Sequence, residues 1–589
     1  MSASFRSMRF SSPRFIALAS VLFAAASCAT PAPPPKPPVA AAPPPAPKAP
    51  AVAADPLSTP PPAGIAADKP FPAIAHAKLD NGLDLRVVTR KNYPIVELRL
   101  VLFSGVASDG TEPGVAAVAG ELLKAGGAGQ WNAAELAERA ESLGANLDVV
   151  TERDSTRITI AVTTGDFDAA LDLLGAVAQK PRFAPVEFDK LKQRELERVR
   201  NAAKASAGWA ASMVLYRELF DLPIAVHSYA HYDAKPSELD KLTLQSCRRW
   251  YQTNVTPENA TLVVAGDVDP AVAEASAKRV FSGWKGARPS GQTFNTPLPP
   301  SERMVWLVDR PRSAQSQIYV AGLGPERSTP SWPALAATNQ ILGGGVAGRL
   351  FLDVREKRSL AYGTGSSVEE PAHSPVPIVL SAGTQTAKTA YAVQALLENL
   401  DKIGSAPPTD AEVGMASRYL SDSFLFRTET LGAVADLTVK LAVLGLPDDY
   451  FDDYRRAVRK LDNATVYEAA QHWFSLKNPV IVVAGDAKRI AKPLSHFAKV
   501  TIIDPEHDFQ PGQQLPKDEN QSLDAQPEML QPPKPPVPAP APAAKPAPAK
   551  PTPGAPAAVP AKPAPAAPAP VPAKPTPGAP AAVPGKPTP

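Results

Sequence analysis

The chain reads as an α+β protein built from two copies of one folding unit, and three features of the sequence lead to that reading. The run Val263-Val264-Ala265-Gly266-Asp267 returns as Val482-Val483-Ala484-Gly485-Asp486, 219 residues later, and self-similarity at a fixed offset marks a duplicated architecture. In both copies a helix-like segment ending in tryptophan, Trp250 or Trp473, leads into the run. Near the start of each copy an apolar strand feeds an Ala/Gly-rich helix: Pro94–Gly105 into Pro113–Lys124, and Gln315–Gly324 into Trp332–Leu342. Strands and helices mix without a strict βαβ rhythm, which favours largely antiparallel sheets with helices packed on them.

The two ends are of another kind. Of 589 residues 70 are proline, gathered mainly at the termini, so the foldable part runs from about 68 to 508, room for two domains of ordinary size. The formal charge is +3, and the six lysines after Gln531 leave the rest of the chain at −3. No basic surface for nucleic acid follows from that balance. Two cysteines, Cys28 and Cys247, are too few for a disulfide framework.

Taken in order, residues 1–28 carry Arg6, Arg9 and Arg14, then the apolar run Phe15–Ala26, then small residues, the three-part pattern of an export signal. Its end, Ala25-Ala26-Ser27-Cys28, resembles a bacterial lipobox, which implies cleavage before Cys28 and a diacylglycerol on its thiol. With Ala29 rather than Asp next, the resemblance implies an outer-membrane lipoprotein of the cell envelope, facing the periplasm. Residues 29–67 are Pro/Ala-rich, a polyproline-II tether that at ~3.1 Å per residue reaches ~120 Å.

The first domain is expected over 68–288. Leu79-Asp80-Asn81-Gly82-Leu83 carries the Asn-Gly hairpin signal, and Val96, Leu98, Leu100 and Leu102 alternate with Glu97 and Arg99 as a half-buried strand would. Phe167–Gln179 and Pro185–Lys204 have helical apolar spacing. A proline-rich linker spans 289–301, the second domain 302–508, and a Pro/Ala/Lys-rich disordered tail 509–589. The tail repeats PAKPTPGAPAAVP at 548–560 and 572–584, a solvated spacer by composition.

The segment Gly343-Gly344-Gly345-Val346-Ala347-Gly348-Arg349-Leu350-Phe351-Leu352-Asp353-Val354-Arg355-Glu356-Lys357-Arg358-Ser359-Leu360-Ala361-Tyr362 resembles the second-domain signature of the M16 (insulinase/pitrilysin-like) peptidases. The resemblance, thinner elsewhere, covers about 75–505. It implies two similar α+β domains that close like a clamshell. It also implies that Arg355 and Tyr362 hold a peptide and stabilise the oxyanion formed at a scissile carbonyl, for which a guanidinium fork and a phenol are suitable donors. The bland alternative is a surface Arg paired with Glu356 or Asp353 and a Tyr packed on the sheet. Gly343, Gly344 and Gly345 resemble the loop that non-catalytic M16 subunits place over their substrate cavity, although glycines also cap helices and turn chains.

The family's zinc motif, His-x-x-Glu-His, is missing. Its place after Pro113-Gly114 is taken by Ala117, Gly120 and Glu121. Alanine has no lone pair, glycine no side chain, and one carboxylate falls short of the three protein ligands that catalytic zinc needs. Glu197 stands near the family's third ligand, and with Glu121 would form at best a weak carboxylate pair. His227 and His231 have ligand-like spacing, but their stretch reads as a loop. Cys247 reads as a buried helix residue.

The resemblance therefore implies a non-catalytic subunit of a two-chain M16 peptidase, a heterodimer in which the partner carries His-x-x-Glu-His and the zinc, with peptide or unfolded polypeptide as substrate. No cofactor is expected in this chain. The alternative is a proteolytically inactive peptide-binding or scaffold protein of the cell envelope.

Overall fold

A computed structural model describes residues 69–220, 227–290 and 294–527. The expectations placed on Cys28, on the 29–67 tether and on the tail beyond 527 lie outside the described residues.

Two sheets carry the architecture. The first contains β1 (Ala75–Lys78), β2 (Asp84–Thr89), β3 (Ile95–Leu102), β4 (Asp148–Thr151), β5 (Thr156–Thr163) and β6 (Ala260–Gly266), in the order β1-β2-β6-β3-β5-β4. The second contains β7 (Met304–Asp309), β8 (Gln315–Glu326), β9 (Ala361–Val368), β10 (Pro375–Gln385), β11 (Val480–Gly485), β12 (Lys499–Asp504) and β13 (Gln510–Leu515), in the order β13-β12-β7-β11-β8-β10-β9. The series β2-β6-β3-β5-β4 maps onto β7-β11-β8-β10-β9 neighbour by neighbour. In each, the first pair is parallel and the other three antiparallel.

The repeated Val-Val-Ala-Gly falls on β6 and β11, and its sequence follows from its place. Every residue of both strands is buried, so only a continuous apolar run fits. The glycine ends each strand where another group comes close. A Cβ on Gly266 would stand 2.2 Å from the Ile95 carbonyl oxygen, and one on Gly485 would stand 2.4 Å from Ser316 Oγ.

Of the sixteen α-helices among the described residues, ten bear on the site and the core: α1 (Val115–Ala125), α2 (Pro185–Ala205), α3 (Ala207–Leu219), α4 (Leu244–Asn254), α5 (Trp332–Leu342), α6 (Thr389–Ser405), α7 (Leu431–Val443), α8 (Tyr450–Arg459), α9 (Asn463–Trp473) and α10 (Ala487–Ser495). The two repeats exchange one helix each. α3 of the first lies across β11 and β8 of the second, while α7 of the second lies across β6 and β3 of the first. Ala210, Ala211 and Val214 pack with Ala321, Val379 and Val482. Val434 and Leu441 pack with Val88 and Ala265, and Val439 with Val101 and Val263. Each buried Val or Leu contributes roughly 1.5–3 kcal/mol, so these crossings join the repeats more firmly than exposed ion pairs, worth under about 1 kcal/mol.

Two expectations change. β3 is not half-buried: α7 covers its second face, Arg99 is only 9% exposed, and it is held by Glu97 at 2.7 Å and by Asp436 of α7 at 3.3 Å. The second repeat does not stop at 508, because β13 pairs with β12 and Gln526 is tied to Arg489 of α10 through two hydrogen bonds. The hairpin expected at Leu79–Leu83 forms, joining β1 to β2 as an antiparallel pair. Gly82 there takes a φ of +90°, and Asn81 Nδ2 donates to the carbonyls of Phe281 and Trp284.

Candidate functional site

α1 is the element on which the family's metal residues belong. Its start is shaped by Gly114, at φ +89°, and by Asp109, whose carboxylate accepts from Gly114 N at 2.7 Å and Ala116 N at 2.8 Å. These are amides with no partner inside the helix. Burial pushes the Asp109 carboxyl up to about 7, against those two bonds, with the charges of Asp233 and Glu238 adding to the rise.

The residues present do not fit zinc. Ala117 offers no donor. Gly120 packs so tightly that a Cβ would stand 2.4 Å from Thr151 Oγ1. Thr151 Oγ1 shares in turn a 3.2 Å hydrogen bond with Thr156 Oγ1. Glu121 is occupied by Lys124 at 3.9 Å and by Arg194 of α2 at 3.5 Å. Glu197 pairs with Arg200 on its own helix at 3.7 Å. Glu121 and Glu197 are thus each engaged by a cation rather than set as a carboxylate pair, and no trio of His, Cys, Asp or Glu among the described residues is grouped to hold a metal ion. No step through a metal can be built on this helix.

His227 and His231 lie in a loop, as their sequence implies. The His227 ring is fully buried, its Nδ1 accepts from Tyr229 N at 2.9 Å, and burial together with the charge of Arg153 pushes its pKa down to about 4. The stretch serves the junction between repeats. Tyr229 Oη donates to Asp154 and accepts from His373 N, Tyr216 Oη donates to Glu369, and the Arg153 guanidinium lies over both tyrosine rings, 4.1 and 5.4 Å from their centroids. Cys247, in α4, is buried, and burial with the nearby Glu112 charge pushes its thiol up to about 12.

The second repeat is different. Phe351–Lys357 winds as a π-helix, a form rare in proteins and frequent at functional sites. It carries Arg355, whose guanidinium lies 4.6 Å from the centroid of the Phe351 ring and 5.6 Å from that of Tyr362. Tyr362 sits where the β9–β10 register slips: Gly363 faces Gly383, but Ala361 already faces Thr384. Such a bulge re-aims the extra residue, and Tyr362 is 88% exposed on the edge strand. The structure therefore brings Arg355 and Tyr362 together. Arg355 also approaches Glu356 at 3.6 Å, but Tyr362 does not pack on the sheet.

The glycine run divides. A Cβ on Gly343 would meet Ser366 N at 2.5 Å, and one on Gly344 would meet Gln340 Oε1 at 2.4 Å. Gly343 O also accepts from Ser366 N. These two are glycine because the loop folds back on β9 and α5. Gly345 is open, with nothing nearer than Gln340 Nε2 at 3.5 Å, and the adjacent Val346 is 71% exposed. Sequence reasoning missed Asp109 and the Tyr216–Tyr229 junction. The signal for Asp109 was an acid four residues ahead of Pro113-Gly114 and an apolar helix.

A duplicated α+β unit, with a dismantled metal helix in one repeat and an exposed Arg–Tyr pair in the other, defines an inactive-type homologue of a zinc-peptidase class. The chain belongs to the M16 family. Residues 86–220 match the insulinase (peptidase family M16) profile and residues 241–420 match the peptidase M16 inactive domain profile, together more than half of the chain. It is similar to an uncharacterized zinc protease of Mycobacterium tuberculosis, 23% identical over 370 residues, 62% of this chain and 82% of that protein. It is also similar to the non-peptidase homolog YmxG of Helicobacter pylori, 22% identical over 400 residues, 66% of this chain and 89% of that protein. Among solved structures, a peptidase M16 inactive domain from Pseudomonas fluorescens superposes with a TM-score of 0.65 at 25% identity, covering 70% of this chain and 98% of that one. A protease from Helicobacter pylori shares the fold, with a TM-score of 0.63 at 19% identity over 70% and 99% of the two chains.

Proposed function

We propose that this chain is the non-catalytic subunit of a two-chain M16 peptidase, completing a site whose zinc is carried by a partner subunit with the His-x-x-Glu-His motif. The observation that supports the reading is the exposed Arg355–Tyr362 pair. The fold goes out of its way to present it, through a π-helix and a bulge, while the metal helix of the same chain is filled in.

In this reading Arg355 binds the peptide carbonyl next to the scissile bond, and Tyr362 Oη donates to the oxyanion as water adds to the scissile carbonyl. Donors preset for the developing charge are each worth about 10²–10³ in turnover. β9 is an edge strand, and an edge can take an extended peptide backbone as a further strand, which suits unfolded polypeptide over folded protein. Cys28 carries the lipid that holds the complex at the outer membrane, facing the periplasm.

The test is reconstitution. The chain and a His-x-x-Glu-His partner from the same envelope, mixed, should cleave a quenched-fluorescent peptide, and Arg355→Ala or Tyr362→Phe should each lower turnover at least tenfold while leaving the assembly intact. Full activity in both variants removes the assigned roles and leaves a scaffold. Continued membrane association of Cys28→Ser removes the anchor.

A further inference from the structure

A groove of about 390 Å³ runs between the start of α5, the end of α8 and the outer face of α9, lined among others by Pro330, Pro333, Leu461, Glu468, His472 and Trp473. The half-buried Trp473 ring lines it, with the His472 ring set edge-on at 4.3 Å between centroids. Most of the rest is proline and aliphatic, with the hydroxyls of Ser331 and Thr465 among them. One turn before His472, the carboxylate of Glu468 is exposed and takes part in no ion pair among the described residues. An aromatic ring and prolines on one groove, with one free acid, is the chemistry that receives a proline-rich segment carrying a positive charge.

The same chain holds such a segment. Beyond Gln531 it has six lysines and no acid, and Lys545, Lys550, Lys562, Lys574 and Lys586 each open a Lys-Pro-x-Pro unit. The last four lysines are spaced twelve residues apart. We propose that the groove is a docking site for these Lys-Pro-x-Pro units of the chain's own C-terminal segment, with proline rings on Trp473 and the lysine on Glu468. The proposal is independent of the peptidase reading above.

Reach and affinity are both adequate. The segment leaves the body at Gln526, fastened to Arg489 of α10, and Asp524 accepts from Tyr391 of α6, a helix that packs against α9. The nineteen residues from Gln526 to Lys545 span up to ~60 Å at ~3.1 Å each, against a radius of gyration of roughly 23 Å for a body of this length. A tethered ligand sees its site at an effective concentration in the millimolar range. A unit that binds weakly when free is therefore held, and five units share one groove.

Zero-length carbodiimide coupling on the full-length chain, read by peptide mass spectrometry, tests this. Glu468 should couple to tail lysines at least fivefold more than the exposed Glu141 or Glu506. Millimolar free PAKPTPGAPAAVP peptide should bring that excess down, as should Trp473→Ala. Coupling at Glu468 no greater than at the control acids overturns the proposal, and so does an excess that neither the peptide nor the substitution lowers. In an equal mixture of ¹⁴N and ¹⁵N chains the coupled pairs should be of one isotope. Predominantly mixed pairs would place a second copy's tail in the groove and overturn docking in cis.

Discussion

Replacing Gly120 by alanine would ordinarily stabilise a helix, by about 1 kcal/mol, yet here it is expected to destabilise the protein. The new Cβ would stand 2.4 Å from Thr151 Oγ1, well inside contact, and Thr151 Oγ1 shares a 3.2 Å hydrogen bond with Thr156 Oγ1, whose own proton goes to the Ser104 carbonyl at 2.8 Å. Overpacking of this kind costs about 1–3 kcal/mol, and loosening the Thr151–Thr156 bond adds about 1 kcal/mol. Net of the helix preference, Gly120→Ala should lose roughly 1–3 kcal/mol. Removing the obstacle reverses the sign: in a Thr151→Ala background the same change should be neutral or stabilising by up to about 1 kcal/mol. The assay is urea unfolding of the two single variants, the double variant and the parent, followed by tryptophan fluorescence, with the coupling read from the cycle. If Gly120→Ala alone raises the midpoint, the helix has room for a side chain and the close packing of Gly120 on Thr151 is refuted.

Four further outcomes follow from the structure. Asp109 holds its proton in the folded state up to about pH 7 but loses it near 4 when unfolded. Its contribution therefore falls as pH rises from about 4 to about 7, by up to about 1.4 kcal/mol per unit, and is flat above. The advantage of the parent over Asp109→Asn in urea midpoint should shrink between about pH 5 and about pH 7.5; an advantage that grows contradicts the burial argument. Arg327, 6% exposed by its side chain, pairs with Glu370 at 2.6 Å, donates to Tyr450 Oη and lies 3.9 Å from the Trp332 ring centroid, so Arg327→Met should cost about 3–5 kcal/mol in the same assay. Burial opposes the Glu370 charge, but Lys440 and Arg327 outweigh it and hold that carboxyl below its usual range. Its stabilisation is then present at neutral pH and lost as pH falls through the lowered value, and Glu370→Gln should flatten the acid limb of the stability profile. Cys247 should resist alkylation in the native protein at pH 8 and react once urea unfolds it; rapid native labelling, read by mass spectrometry of its peptide, would contradict the buried thiol.

The duplication was legible because a strand buried on both faces tolerates few residues, and its terminal glycine stands where a side chain would strike its neighbour, so Val-Val-Ala-Gly survives at 263 and 482. The dismantled metal helix was legible because ligands are residue types, and Ala117 and Gly120 are not ligands in any conformation. The reciprocal exchange of α3 and α7 was not read, since periodicity says which face of an element is apolar but not which sheet will cover it. The signal was present in composition, because Ala207–Leu219 and Leu431–Val443 are apolar around most of their circumference, as a helix between two layers must be. Arg99 misled for the same reason: an arginine in an alternating strand looks solvent-facing until a helix with Asp436 arrives over it. The π-helix under Arg355 and the bulge at Tyr362 depend on how two segments register, which no local pattern encodes. Of the glycine run, the sequence could not separate Gly343 and Gly344, needed for close approach, from the open Gly345.

Zinc binding by the purified full-length chain tests the central claim most directly. Competition against a chromophoric chelator, with the parent and Glu121→Ala side by side, should give no stoichiometric site in either and no zinc-dependent peptide cleavage by the chain alone. A tight one-to-one zinc site in the parent that Glu121→Ala abolishes, accompanied by cleavage, would contradict it.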